Sequence, residues 1–154
     1  RVVAILNGRT GTVLHEHMGL TKRNWTVTAC SSEADRHGVQ LACDENPQTY
    51  WKSLPGGSHS ITIDLGRKEV LSGFSYTPQQ ENQEGMMAKG IVLTSTDGKK
   101  WREAGIFEFG NLINDPTKRS FYFSKRQKAR YVKIETEETA GGSDVVAVAE
   151  LDFF

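Results

Sequence analysis

Four histidines are the first candidates for metal or acid–base chemistry in this chain of 154 residues. His15 and His17 stand two positions apart, so on an extended strand both imidazoles would project to the same side and could hold a metal ion. A zinc site needs at least a third protein ligand, and the neighbouring sequence offers none that we can identify. An exposed linker strand is therefore the preferred interpretation of this segment, and a metal site is the alternative.

The sequence lacks the common motifs of catalysis. It contains no nucleophile elbow, no glycine-rich phosphate loop and no Gly-x-Gly-x-x-Gly fingerprint. Its 19 acidic residues include no pair in a recognisable catalytic setting. These observations favour a binding domain over an enzyme.

The charge pattern argues against nucleic acid and membrane partners. Lys and Arg number 19 and exactly offset the 19 acidic residues, and no apolar run approaches the roughly 18 residues of a membrane span. A basic run at 125–130 is followed by Glu135, Glu137 and Glu138. We interpret it as a solvated turn, with a phosphate or heparin site as the alternative.

Two cysteines, Cys30 and Cys43, are too few for a disulfide scaffold. Both stand beside small residues, which favours buried free thiols. A bridge between them is the alternative, because the sequence fixes no distance.

Alternating apolar and polar residues predict β-strands along most of the chain. Clear cases are Trp25, Val27 and Ala29 in one run and Ile61, Ile63 and Leu65 in another. Further strands are predicted at 73–77, 90–96, 106–109, 121–123, 130–135 and 145–153. Turn signals such as Asp97-Gly98 separate them, and a single helical turn is predicted at 46–49.

Eight strands with almost no helix can bury their apolar faces as a sandwich or a barrel. We predict an all-β fold, an eight-stranded antiparallel jelly-roll β-sandwich. Loops at one end of such a fold carry function, so the connections at 31–48, 52–60, 77–89 and 136–145 should hold the site.

Several segments, taken in order, resemble the discoidin-like, coagulation-factor type C superfamily, and within it the family 32 carbohydrate-binding modules of glycoside hydrolases. The run 42–51, Ala-Cys-Asp-Glu-Asn-Pro-Gln-Thr-Tyr-Trp, is similar to the family's Ala-x-Asp-Gly-Asn/Asp-x-x-Thr-x-Trp motif. The other matching runs are Trp25–Glu33, Ile61–Gly66, Tyr76–Pro78, Ser95–Trp101, Ala129–Ile134 and Ala149–Leu151. The resemblance covers residues 21–154 and implies a galactose-binding-domain-like jelly roll.

The resemblance also implies a structural calcium ion, which prefers six or more oxygen ligands. Asp44 and Glu150 would supply carboxylates, and Thr49 a hydroxyl and a carbonyl. Leu41 and Asn46 would contribute carbonyl or side-chain oxygens. The chain departs from the family at Asp44-Glu45, where the family has Asp-Gly. Trp51 is expected in the core rather than under a sugar.

Sugar binding is the function that the resemblance implies, through side chains that match hydroxyl groups. Galactose-binding relatives often carry His after the motif's Trp and Arg after the Tyr-x-Pro segment, where this chain has Lys52 and Gln79. The predicted sugar-binding residues are Lys52, Gln79, Glu84, Glu33, His37, Ser143 and Asp144.

The leading hypothesis is a non-catalytic module, residues 21–154, that follows a linker or domain tail at 1–20. Its partners would be a glycan or terminal sugar and the catalytic domain of an exo-glycosidase, hexosaminidase/chitobiase-like or fucosidase-like, in the same polypeptide. The resemblance implies a secreted, periplasmic or cell-surface protein. Two alternatives are a discoidin-type adhesion or lipid-binding domain, which needs apolar loop tips, and a structural domain without a ligand.

Overall fold

The computed structural model describes residues 19–154 and confirms the all-β prediction. Within that range the strands are β1 Thr26–Cys30, β2 Trp51–Lys52, β3 His59–Thr77, β4 Met87–Ser95, β5 Arg102–Glu108, β6 Arg119–Thr139, β7 Ala147–Val148 and β8 Glu150–Phe153. Two short 3-10 helices lie at Val39–Cys43 and Ala140–Gly142. Residues 46–49, where the sequence predicts a single turn, form one hydrogen-bonded turn outside both helices, closed by the Thr49 N–H on the Asn46 carbonyl (3.2 Å).

The two long strands β3 and β6 form the antiparallel ribbon on which the fold is built. Strand order is β1-β3-β6-β4-β5, with β8 also paired to β3, and β2 pairs with β7. The first half of β3 pairs with β1 and its second half pairs with β8. Because one strand serves two different neighbours, the ribbon contributes to both layers of the jelly roll.

Strands predicted at 61–65 and 73–77 are therefore parts of one strand, and so are those predicted at 121–123 and 130–135. The β3–β6 register shifts between Asp64 and Glu69 and again between Leu71 and Gly73. Gly66 lies at the first shift with φ +87°, and a Cβ there would lie 2.7 Å from the Asn24 carbonyl oxygen. Bulges of this kind bend a strand without ending it, so the polar residues between the predicted strands do not separate them.

The core lies between the layers and confirms the predicted alternation in β3. Ile61, Ile63 and Leu65 are buried, whereas the residues between them face outward. Phe74, in the second half of β3, packs its ring edge-on against Phe107 of β5, with 5.3 Å between centroids. Burial of such side chains contributes about 1.5–3 kcal/mol each.

Strand β1 departs from the predicted alternation. Its pairing with β3 shifts between Val27 and Ala29, and Ala29 is exposed while Cys30 packs against the core. A bulge of one residue moves all later side chains to the opposite face. The prediction that Ala29 faces the core is therefore wrong.

Neither cysteine forms a disulfide in the structure, as the preferred interpretation expects, but both are half-buried rather than fully buried. Trp51 is 1% exposed and its indole N–H donates to the Ser32 carbonyl (2.9 Å), so it is a core residue as predicted. Within residues 19–154, no helix has the length and apolar character needed to cross a membrane.

The start of the described chain packs on the last strand, where the Leu20 N–H donates to the Phe153 carbonyl (2.9 Å). The predicted linker at 1–20 and the histidine pair His15 and His17 fall almost wholly outside the described residues.

Candidate functional site

Four loops converge at one end of the sandwich, at 31–38, 53–58, 78–86 and 140–146; we call this end the loop rim. Backbone hydrogen bonds fasten them to one another. The Ala34 N–H donates to the Lys52 carbonyl (2.7 Å), the Ser53 N–H to that of Val146 (2.9 Å) and the Ala147 N–H to that of Gly85 (2.8 Å). Loops tied in this way present their side chains in a fixed arrangement.

Lys52 and Glu84 form an ion pair at the loop rim, with 2.6 Å between Nζ and Oε1. Lys52 lies at the end of β2 and Glu84 in the loop before β4, so the pair joins two of the predicted sugar-binding residues. The side chains are 28% and 46% exposed. Both groups therefore remain within reach of a ligand from solution.

Gln79 is buried, whereas direct contact with a sugar requires an exposed side chain. It is 2% exposed, and its Nε2–H donates to Asn82 and to the Glu84 carbonyl. Its Oε1 accepts from the N–H groups of Glu81 and Asn82. Gln79 therefore shapes the loop that carries Glu84 and is enclosed by that loop.

In the first loop, Glu33 and His37 also make structural contacts. The Glu33 carboxylate accepts the Val39 N–H (2.6 Å) at the start of the first 3-10 helix. The His37 ring stacks on Tyr50 with 4.2 Å between centroids, and its Nδ1 lies 3.1 Å from the Tyr50 carbonyl oxygen. His37 thus covers one face of Tyr50 at the rim.

In the last loop, Asp144 contacts the wall of a polar cleft of about 430 Å³ through His59, whereas Ser143 contacts its own loop. The Asp144 carbonyl accepts a hydrogen bond from His59 Nε2 (3.0 Å), and His59 lines the cleft. The Ser143 hydroxyl turns back onto Val145 of its own loop. The cleft is lined by Gly57, Ser58, His59, Ser60, Glu135, Thr136 and Glu137.

A second, smaller cleft of about 160 Å³ lies at Tyr50. The Tyr50 hydroxyl donates to the Glu81 carboxylate (3.0 Å), and burial together with this hydrogen bond raises the pKa of Tyr50. The polar side chains of Gln48 and Gln80 also line the cleft, together with Pro47. Tyr50, Glu81, Gln48 and Gln80 were not among the predicted site residues, although each stands within two residues of a predicted sugar-binding or calcium-binding position.

The predicted calcium ligands fall into two groups. In the loop after the first 3-10 helix, the Thr49 hydroxyl hydrogen-bonds to the Asp44 carboxylate and to the Asn46 carbonyl (3.0 Å). Leu41 lies within that helix and its N–H donates to the Gly38 carbonyl. Asp44, Asn46 and Thr49 thus lie together, as the calcium prediction requires.

Glu150, at the start of β8, is engaged differently. Its two oxygens accept the Glu45 N–H at 3.1 and 3.0 Å, and its carboxylate pairs with the ammonium of Lys22. Glu45 has φ +63°, so the loop keeps the left-handed backbone that the family's glycine favours. Glu150 in this state does not fit a calcium ligand, and calcium at this position stays a prediction.

Comparison with known proteins identifies the domain. The profile of the F5/8 type C domain matches residues 26–151. A galactose oxidase from Gibberella zeae is 30% identical over 142 residues, which are 88% of this chain and 20% of that protein. A sialidase from Micromonospora viridifaciens is 28% identical, over 94% of this chain and 25% of that protein. The chain therefore spans a quarter or less of the length of these relatives.

Solved structures with the same fold include carbohydrate-binding modules. Module CBM32-3 of a family 31 glycoside hydrolase from Clostridium perfringens has a TM-score of 0.82 at 24% identity, covering 88% of this chain and 94% of that chain. Module CBM32-5 of GH89 from the same organism, in complex with GalNAc-β-1,3-galactose, has a TM-score of 0.78 at 25% identity and coverage of 89% and 99%. Both neighbours are CBM32 modules of glycoside hydrolases. The match over residues 26–151 shows that this chain belongs to the family of F5/8 type C domains.

Proposed function

We propose that this domain is a non-catalytic carbohydrate-binding module whose loop rim binds the terminal sugar of a glycan. The observation that carries the proposal is the partly exposed Lys52–Glu84 pair at the rim. The catalytic domain of a glycoside hydrolase in the same polypeptide would be its partner, and the module would hold that enzyme on its substrate. Because similar modules belong to glycoside hydrolases, we infer a secreted, periplasmic or cell-surface location for this protein.

The side chains at the rim suit the chemistry of sugar hydroxyl groups. A hydroxyl both donates and accepts, so a sugar site needs donors and acceptors side by side. Lys52 offers an ammonium and Glu84 a carboxylate. In the neighbouring cleft Glu81 accepts, and the amides of Gln48 and Gln80 do both. A sugar placed across these groups would exchange water for charge-assisted hydrogen bonds.

The described rim offers little free aromatic surface for the C–H face of a sugar ring. Tyr50 is 6% exposed and is covered by His37. We therefore expect weak binding at a single site, with retention arising from several contacts between a tethered module and a multivalent glycan.

A lipid-binding function is less well supported by the rim. That function needs apolar side chains at the loop tips. Met86 and Met87, the apolar candidates in the loop at 77–89, are buried in the core. Leu54 is 50% exposed in the loop at 53–58, which leaves one apolar side chain at that tip.

A glycan-array screen of the whole chain tests the proposal. We expect retention on a defined group of glycans and at least a tenfold loss of affinity in Lys52→Met, because a charge-assisted hydrogen bond contributes about 1.5–3 kcal/mol. Lys99→Met is the matched control, since Lys99 lies in the turn between β4 and β5. If the chain sediments with anionic vesicles and is retained on no glycan, the lipid-binding alternative is favoured. Binding to neither would favour a structural domain.

A further inference from the structure

Lys22 is a buried cation that the sequence analysis did not single out. Its side chain is 5% exposed, and lysine is rarely buried to this extent unless it is paired. The ammonium pairs with the Glu150 carboxylate and lies 2.9 Å from Asp152 Oδ1. It also lies 5.5 Å from the centroid of the Trp25 ring, which suits a cation.

These contacts place a positive charge between the start of the domain and its last strand. Glu150 and Asp152 both belong to β8, and Lys22 precedes β1. The Glu150 side chain is 9% exposed, so its negative charge needs a partner in the folded protein. Lys22 provides that partner, and the Glu45 N–H completes the hydrogen bonding of the same carboxylate.

Glu150 is also the predicted carboxylate ligand of calcium from the last strand. A divalent ion bound to it would have to lie beside the buried ammonium, and like charges in a poorly solvated site repel strongly. The other predicted ligands, Asp44 and Thr49, hydrogen-bond to one another. The buried Glu150 carboxylate is therefore neutralised by Lys22, a positive charge that belongs to the chain itself.

We propose that the Lys22 ammonium takes the place of a metal ion at Glu150, so that folding of this domain does not depend on calcium. The internal cation joins the segment before β1 to β8. This inference is independent of sugar binding at the loop rim and makes the opposite prediction from the sequence-derived calcium site.

Unfolding of the whole chain, followed in urea with either millimolar calcium chloride or EDTA, tests the proposal. The wild type should unfold at the same urea concentration in both conditions. A midpoint that rises with calcium and falls with EDTA would show that the ion binds despite the lysine and would overturn the proposal.

Lys22→Met removes the ammonium while keeping a long apolar side chain. In EDTA we expect a lower urea midpoint than in the wild type, because Glu150 loses its partner. The matched control is Lys133→Met, since Lys133 pairs with Glu135 at 33% and 40% exposure and should change the midpoint little. A Lys22→Met variant as stable as the wild type in EDTA would also refute the proposal. If this variant does not fold, the comparison of the wild type in calcium and EDTA decides alone.

Discussion

Replacement of Glu45 by glycine should stabilise the domain. Glu45 lies in the loop after the first 3-10 helix with φ +63°, in the left-handed region that side chains with a Cβ disfavour. Its side chain is exposed, whereas its N–H is fixed by the Glu150 carboxylate. The contact that holds the loop thus comes from the backbone and survives the substitution.

The magnitude follows from two opposing effects. The left-handed conformation costs an ordinary residue about 1–2 kcal/mol, and glycine avoids most of this. Glycine also loses more conformational entropy on folding, by about 0.4–1 kcal/mol. The difference predicts that Glu45→Gly raises the free energy of unfolding by about 0.5–1 kcal/mol, or Tm by about 1–4 °C for a chain of this size.

Urea unfolding of the wild type, Glu45→Gly and Glu45→Ala measures this difference. Alanine removes the same carboxylate but keeps the Cβ, so it should not reproduce the gain. Equal stability of the alanine and glycine variants would show that the effect comes from the charge of Glu45, and lower stability of the glycine variant than of the wild type would refute the backbone argument.

Three further predictions concern the core, the acid response and the thiols. Gly90→Ala should destabilise by about 1–3 kcal/mol or more, because a Cβ at Gly90 would lie 2.2 Å from the Glu135 carbonyl oxygen; Gly110→Ala, which meets nothing within 4 Å, should change urea stability little. The hydrogen bond from Arg130 holds the pKa of Asp64 below its ordinary value of 3.8, so this pair stabilises the fold above that pH and its contribution is lost as the pH falls through the lowered pKa. The free energy of unfolding of the wild type should therefore fall in this acid range, and that of Asp64→Asn should not. An equal fall in both proteins would contradict the prediction. Burial raises the pKa of Cys43 to about 12, so a thiol reagent near neutral pH should label Cys43 only after urea unfolding; rapid labelling in the native Cys30→Ser variant would contradict this.

Local patterns in the sequence predicted the strands that have one buried face. Ile61, Ile63 and Leu65 alternate with polar residues and are buried, because the side-chain period of a strand sets which face meets the core. The same reasoning failed at Ala29, where a bulge moves the following side chains to the other face. A bulge depends on pairing with another strand, which the local pattern does not contain.

In the candidate site too, local sequence patterns predicted some of the residues but not the contacts between them. Lys52 and Glu84 were both predicted, but the ion pair between them depends on how two distant loops fold back on each other. Gln79 was expected to face a ligand and is instead enclosed, because the N–H groups of its own loop need acceptors. Lys22 stands outside every motif, and its role appears once β8 is placed beside the start of the domain.

Chemical-shift mapping with a bound sugar shows whether the loop rim is the binding surface. We would titrate the isotope-labelled whole chain with a glycan retained on the array and record amide spectra. We expect shifts at the loop rim, around Lys52 and Glu84, and unchanged signals at the turn 97–100. This turn lies at the far end of β4, roughly 25 Å from the rim at about 3.3 Å per residue. Shifts centred on the turn at 97–100, or none at the rim at saturating glycan, would contradict it.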